Sequence, residues 1–372
     1  MLTPLVFTPE FLDSLTRRYE HTLPTDRPVL YTRALQEDRQ YVREMIESRV
    51  AQIADKEAQG QIIGNLRDDG HTTAYHELVV GELLERAHCQ VEYSPRLLSK
   101  DEAALTPDWI ITLPSGGKAI VEVVTLEAPQ DRVKPFQQYG RICDCIARLP
   151  HPYLIGLSSR TDYDEMTLDD LEANNDSSID DEFLRSNTPK KVARAIDQWL
   201  KTEPPMGSRL RVIGGYAKII AQHSSKNGCI CIPPVDVFTV DDLRPSKSIK
   251  GKFAKYADLA ERDEIGYIIA IVTEAGSGHD AETLQMVLHG NPRASLQLHR
   301  DDKGQEKVVI GEWYQGDDGL LRPDRTLPEL SGVLVIEAGG LDMAVNYIPN
   351  PYAARPVELD ALPNHYDQTK PR

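Results

Sequence analysis

Three carboxylates in this 372-residue sequence have the type and spacing to do chemistry together: Glu77, Asp108 and Glu122. Glu122 lies inside Ala-Ile-Val-Glu-Val-Val, an apolar run in which a carboxylate is costly unless it is paired or bound to a metal. Asp108 opens a second apolar run, Asp-Trp-Ile-Ile-Thr-Leu. Hydrolysis of a phosphodiester by a divalent metal needs hard oxygen ligands, an open coordination position and an activated water. Converging carboxylates at these positions would bind Mg²⁺ or Mn²⁺ through Asp108 and Glu122, with Glu77 as a third ligand or water-positioning group. The other reading of Glu122, a carboxylate facing solvent from a half-exposed strand, fits the alternation equally well.

The elements that must position them are a hairpin and the helix before it. Thr106 to Thr125 is two β-rich runs flanking Pro-Ser-Gly-Gly, a strong local hairpin signal. A three-residue loop, Ser115 to Gly117, would place Pro114 opposite Lys118, Ile110 opposite Glu122 and Asp108 opposite Val124. Trp109, Ile111, Leu113, Val121 and Val123 then share one apolar face, and Asp108, Glu122 and Val124 the other. Asp108 and Glu122 become diagonal neighbours, with Cβ atoms about 7 Å apart or less. His71 to His88 reads as a helix capped by Thr72 or Thr73, with Val80, Leu83, Leu84 and Ala87 as its buried stripe. Glu77 falls on the flank of that stripe, whereas Glu82 and Glu85 fall nearly opposite it. His76 lies near the stripe and reads as a packed histidine.

Composition sets the frame. With 40% hydrophobic residues the chain can bury a substantial core, in one large domain or two. No run of eighteen apolar residues occurs, so no membrane partner is expected, and the N-terminus lacks a signal-peptide pattern. A cytoplasmic location is the expectation. The five cysteines fit it as free thiols: Cys143 and Cys145 diverge around a helix, and the one-residue spacer between Cys229 and Cys231 is short for zinc. A net charge of −16 disfavours non-specific nucleic-acid binding without excluding a local basic groove.

Along the chain, residues 1–70 read as a helical N-terminal arm, with an amphipathic stretch from Thr32 to Glu57. Residues 71–275 read as an α/β core, a mixed sheet with helices on both faces. It carries an acidic insertion at about 161–186, expected as an exposed connection or a mobile flap. Helices are expected at Arg132 to Leu149, Thr188 to Lys201 (capped by Thr188), Ile249 to Glu264 and Ala281 to His289. Residues 276–372 read as a β-rich C-terminal extension ending in a loosely held Pro-rich tail. No phosphate-cradling glycine loop, Gly-x-Ser-x-Gly elbow or His-Glu-x-x-His motif occurs.

The stretch from Glu77 to Thr125 resembles the PD-(D/E)XK phosphodiesterase superfamily, whose fold is restriction-endonuclease-like. Pro107-Asp108 resembles that family's Pro-Asp, Glu122-Val123-Val124 its Glu-x-Lys, and Glu77 the glutamate often found on the preceding helix. The resemblance covers about fifty residues. It implies a Mg²⁺-dependent nuclease with DNA as partner, acting in defence or restriction, alone, as a homodimer or with a partner subunit. It also exposes a departure, because the motif's lysine position holds Val124. Lys252 ranks first as its replacement, on the inward flank of a helix whose Lys252-Phe-Ala-Lys-Tyr256 is similar to the Lys-x-x-x-Tyr of divergent, defence-type members. Lys255 ranks second and Lys118 third, with Lys134 also near the start of a helix. The rival implication is a catalytically degenerate nuclease fold acting in binding or assembly.

Overall fold

The computed structural model describes residues 4–98, 104–127, 130–158, 183–213, 215–222, 228–232, 244–274, 279–290, 292–300, 306–315, 319–321, 327–339 and 342–367. The acidic stretch 161–186 lies outside them up to residue 182. The chain divides into two compact units. The first comprises Met1–Leu15, Val29–Ala128 and Thr239–Arg372, and the second Thr16–Pro28 and Pro129–Phe238.

The first unit is mixed α/β, a seven-stranded sheet flanked by helices. Its strands are β1 (Gln90–Tyr93), β4 (Trp109–Thr112), β5 (Lys118–Leu126), β10 (Gly266–Glu274), β13 (Gly332–Gly339), β14 (Asp342–Pro349) and β15 (His365–Asp367), in that spatial order. The pairs β5–β10 and β10–β13 are parallel and the others antiparallel. Short hairpins complete this unit, β2 (Leu97–Leu98) with β3 (Ala104–Leu105) and β11 (Pro292–Arg300) with β12 (Glu306–Gln315). Because β10 has parallel neighbours on both sides, Tyr267 to Val272 are fully buried, an apolar run without alternation.

This sheet draws strands from both sides of residue 275. The segment expected as a separate extension supplies β13 to β15. The Pro-rich tail is held, with Val357, Leu359 and Tyr366 buried and Asn350 Nδ2 donating to the Leu327 and Leu330 carbonyls. The N-terminal arm forms α1 (Pro9–Tyr19), α2 (Val29–Leu35), α3 (Gln40–Gln52) and α4 (Lys56–Leu66).

Helix α5 (His71–Arg86) lies on the face bearing Trp109, Val121 and Val123. It starts ahead of both threonines expected to cap it, and Gly70 at the cap makes no side-chain hydrogen bond. The approach is close at Gly81, where a Cβ would come 2.3 Å from Trp109 Cζ2. Gly81→Ala is therefore expected to lower the melting temperature. Alanine gains about 1 kcal/mol of helix propensity over glycine, but overpacking against a buried ring typically costs about 1–3 kcal/mol. Thermal unfolding followed by circular dichroism checks this, and a Gly81→Ala protein that melts higher than the parent would contradict the packing.

Glu82, expected to face away from the core, is buried. Arg49 of α3 donates to it at 2.7 Å through Nε, and Arg86 donates at 2.9 Å. The reason is that α3 covers the outer side of α5, so the helix has core on more than one face. The opposite face of the sheet is covered by α8 (Arg244–Arg262) and α9 (Ala281–His289). There Ile120, Val124, Ile269 and Ile271 pack with Ile249, Tyr256, Leu259 and Leu284.

The second unit has a four-stranded sheet, β7 (Arg209–Val212), β8 (Gly215–Gln222), β6 (Tyr153–Ser158) and β9 (Gly228–Ile232) in spatial order. One face packs on α6 (Gln130–Ala147) and α7 (Thr188–Leu200). Asn187, not Thr188, is the cap of α7. Cys143 and Cys145 on α6 are in no disulfide, nor is Cys89; the side chains of Cys229 and Cys231 lie outside the description.

Candidate functional site

The hairpin forms in the expected place with a different register. Leu113, Pro114, Ser115 and Gly116 make a turn in which the Gly116 N–H donates to the Leu113 carbonyl at 2.8 Å. Proline sits at the second position, where its fixed φ suits the turn, and Gly116 takes the left-handed conformation at φ 89°. The closing pair is thus Leu113 with Gly117, one residue back from the expected loop. Thr112 pairs with Lys118 and Trp109 with Val121. The slip is by two positions, so both faces keep their residues. Its consequence is that Asp108 lies directly opposite Glu122 rather than diagonal to it.

Pro107 ends the strand, since it has no N–H to give, and Asp108 takes over the pairing with its side chain. The Val123 N–H donates to Asp108 Oδ2 at 2.7 Å, and the Asp108 N–H donates to Glu122 Oε1 at 3.1 Å. The two carboxylates are fixed by the backbone of each other's strand. Glu122 is fully buried, which excludes the solvent-facing reading, and Asp108 stays 21% exposed. The site therefore has a buried floor and an open rim.

Lys252 comes to that floor from α8. Its Nζ is 2.6 Å from Glu122 Oε2 and 4.0 Å from Asp108 Oδ2. Of the candidates ranked from sequence, it is the one placed against both carboxylates. Lys255 is exposed, with its ammonium 4.6 Å from the centre of the Tyr256 ring. Lys118 is exposed beside the turn, and Lys134 is exposed on α6 of the second unit. Val124 belongs to the core cluster under α8, so its side chain is committed to packing.

Three tyrosines outside the expected set of site residues fix these groups. Tyr93 Oη donates to Glu77 Oε2 at 2.7 Å. Tyr267 Oη donates to the Lys252 carbonyl at 2.7 Å, and Tyr256 Oη to the Thr106 carbonyl at 2.9 Å. Tyr256 was legible as part of Lys-x-x-x-Tyr. Tyr93 was not, because its nearness depends on β1 pairing with β4, where it is opposite Trp109. Trp109 Nε1 in turn donates to the Glu77 carbonyl at 2.9 Å, tying α5 to the hairpin.

The charges are unbalanced. Burial, and after it the charge of Asp108, pushes the Glu77 carboxyl up to about 7. Burial and then the charge of Glu122 push Asp108 up to about 6, against the pull of Lys252 and the Val123 N–H. Burial pulls the Lys252 ammonium down, but Asp108 and Glu122 outweigh it and its pKa is raised. One ammonium faces three carboxylates.

A stability prediction follows from the two raised carboxyls. Between their ordinary values of 4.5 and 3.8 and the raised ones, the folded state binds more protons than the unfolded state. Unfolding free energy then falls as pH rises. The metal-free protein is expected to lose thermal stability from about pH 4 to pH 7 on account of this pair. Glu77→Gln should flatten that slope in melts recorded across the range, and an unchanged slope would reject the assignment.

Among the described residues, no group of three or more His, Cys, Asp or Glu side chains is arranged to hold a metal ion. Glu77 is engaged by Tyr93 and stands as a neighbour of the pair rather than a third member of a closed cage. Among the described residues no helix is long and apolar enough to cross a membrane. Comparison with protein-family models, curated proteins and solved structures found no match to this chain.

Proposed function

We propose that the first unit is a divalent-metal-dependent nuclease of restriction-endonuclease-like design, hydrolysing phosphodiester bonds of DNA. The observation that carries this reading is Lys252. An ammonium delivered from α8 stands 2.6 Å from Glu122 and 4.0 Å from Asp108, restoring by another route the lysine that Val124 replaces in the Glu-x-Lys pattern.

The donor set fits Mg²⁺ or Mn²⁺. Magnesium is commonly held by one or two carboxylates, completed by water and substrate phosphate, rather than by an all-protein cage. Asp108 and Glu122 are such a pair, and a divalent cation would offset the negative charge of the carboxylates, which after burial is the second cause of the raised Asp108 and Glu77 values. When bound, the metal would supply Lewis-acid polarisation of the phosphoryl group and a more acidic water. The chain's own residues do the rest. Asp108 at the rim and Glu122 at the floor hold the ligand geometry through their backbone hydrogen bonds. Glu77, held by Tyr93, accepts a proton from the attacking water. Lys252 stabilises charge that develops on the phosphate oxygens.

The test is cleavage of plasmid and linear duplex DNA with Mg²⁺, Mn²⁺ or EDTA. Cleavage that needs the metal and Asp108 is expected; cleavage unchanged in Asp108→Ala would refute the assignment. A second reading, a degenerate nuclease fold that only binds or assembles, is favoured by the backbone hydrogen bonds of Asp108 and Glu122, which would serve folding without chemistry. Calorimetric titration with Mn²⁺ separates the two, since the degenerate module has no Asp108-dependent metal affinity.

A further inference from the structure

Helix α8 carries a run of lysines against the acidic balance of the chain. From Lys247 to Tyr256 it reads Lys-Ser-Ile-Lys-Gly-Lys-Phe-Ala-Lys-Tyr, with four lysines and no aspartate or glutamate. Acids outnumber bases 58 to 42 in the whole chain. Lys252 turns into the carboxylate site, and the other three lysines are exposed. Among the described residues Lys247 and Lys250 have no ion-pair partner, and Lys255 rests its ammonium on the Tyr256 ring. Helix stability does not account for the run. Cations in the N-terminal half of a helix oppose its dipole, and the first turn holds no acid to offset them.

Lys247, Gly251 and Lys255 follow one another at intervals of four residues, so they share one face of the helix and span about 12 Å along its axis. Gly251 is exposed, and a Cβ there would meet nothing within 4 Å. A glycine inside a helix weakens it relative to alanine, and no neighbour within the protein requires this one to be small. Asp258 and Glu261, the first acids of the helix after Lys247, are exposed beyond Lys255 and bound the patch at that end. The patch adjoins the site. Lys255 follows Lys252 by three residues, about 60° around the helix. Burial raises the Asp108 carboxyl most, and Lys255 is among the groups that pull against it, after Lys252 and the Val123 N–H. Its ammonium is therefore within electrostatic reach of the open rim.

We infer that this face of α8 grips the phosphodiester backbone of duplex DNA through Lys247 and Lys255, with Gly251 as the point of close approach, and leads the strand to the rim at Asp108. Charge complementarity argues for that occupant. The ammonium of lysine is a point cation without an acceptor, suited to phosphate contacts that position a duplex without reading its bases. The ~12 Å between the two lysines covers three to four phosphate steps of one strand, at ~3.4 Å each. A glycine between them lets a backbone come against the helix where a longer side chain would hold it off. Because Lys252 projects from the same helix, the grip and the site ammonium keep a fixed spacing. That DNA rather than another polyanion is bound rests on the nuclease reading above.

The experiment is anisotropy of a labelled duplex with the full-length protein in EDTA, across a range of KCl concentrations. Each cation that meets a phosphate contributes about 0.9 to the slope of log affinity against log salt. Lys247→Ala and Lys255→Ala are each expected to lower that slope by about 0.9, and Lys247→Glu with Lys255→Glu to weaken binding about tenfold or more near 0.1 M salt. Lys247→Arg with Lys255→Arg should keep parental binding, which separates lost charge from lost structure. Gly251→Gln separates them further, since glutamine favours the helix: it should melt higher than the parent yet bind the duplex several-fold more weakly. Parental affinity and slope in the Ala variants overturns the inference, and parental affinity in Gly251→Gln overturns the close approach at Gly251. Equal competition by polyglutamate, or tighter binding of RNA, overturns the assignment to DNA. Failure of the nuclease reading is distinguishable: Asp108→Ala would then keep full cleavage, whereas the slope changes at Lys247 and Lys255 are read without metal or turnover.

Discussion

Glu122→Gln is expected to reduce Mg²⁺-dependent DNA cleavage by about 10³-fold or more, the scale of losing a group that stabilises charge in a transition state, while the protein stays folded. Glutamine is the informative replacement because Glu122 has two jobs. Its Oε1 accepts from the Asp108 N–H and its Oε2 from Lys252 Nζ, both where the side chain is fully buried. An amide oxygen can keep accepting one of these bonds, but it removes the charge a cation needs. Alanine would remove both acceptors. Breaking a buried ion pair from one side typically costs about 3–5 kcal/mol, and less here because Lys252 is 32% exposed. Loss of activity in Glu122→Ala would therefore mix chemistry with folding. The measurement is kcat/KM on duplex DNA at saturating Mg²⁺, paired with the shift in melting temperature that Mg²⁺ produces. Parental activity in a folded Glu122→Gln protein would remove Glu122 from the mechanism.

The faces of the hairpin were legible because strand parity survives a register error of two. Trp109, Ile111, Val121 and Val123 were assigned together, and Asp108 with Glu122, by a rule that needs no loop geometry. The register was not, since two consecutive glycines compete for the left-handed position, and Pro114 decides only once the turn is closed on Leu113. Helix α5 was legible from its period, but the burial of Glu82 was not, because a single stripe presumes a single neighbour. Arg49, its partner, is 33 residues away on another helix. The same limit hid the pairing of β13 with β10. Nothing local in Gly332 to Ile336 says that it pairs with β10 rather than forming a separate layer. Lys252 lies between these cases. The flank of its helix and its spacing to Tyr256 were readable, whereas its contact with Glu122 spans 130 residues and depends on how α8 crosses the sheet.

Lys252→Met is expected to lower kcat by about 10²–10³-fold, the loss typical of removing one charge-stabilising donor, with DNA binding in EDTA unchanged. It also leaves Glu122 buried without its ammonium, so thermal stability should drop and added Mg²⁺ should restore more of it than in the parent. The decisive step is to move the ammonium rather than delete it. Val124 is two residues beyond Glu122 on β5 and on the same face, about 6.8 Å along the strand, inside the cluster that packs under α8. Val124→Lys alone would crowd a second ammonium beside Lys252 and is expected to destabilise the fold. Combined with Lys252→Met it leaves one ammonium, placed as the Glu-x-Lys pattern places it, and should recover about tenfold or more of the lost rate. Single-turnover cleavage with Mg²⁺ reads this directly. A folded double variant no faster than Lys252→Met would mean that the ammonium must approach from α8. That outcome would make the helix-borne lysine a separate solution rather than a relocated one, because position 124 would then be closed to it by the packing of Tyr256 and Ile249.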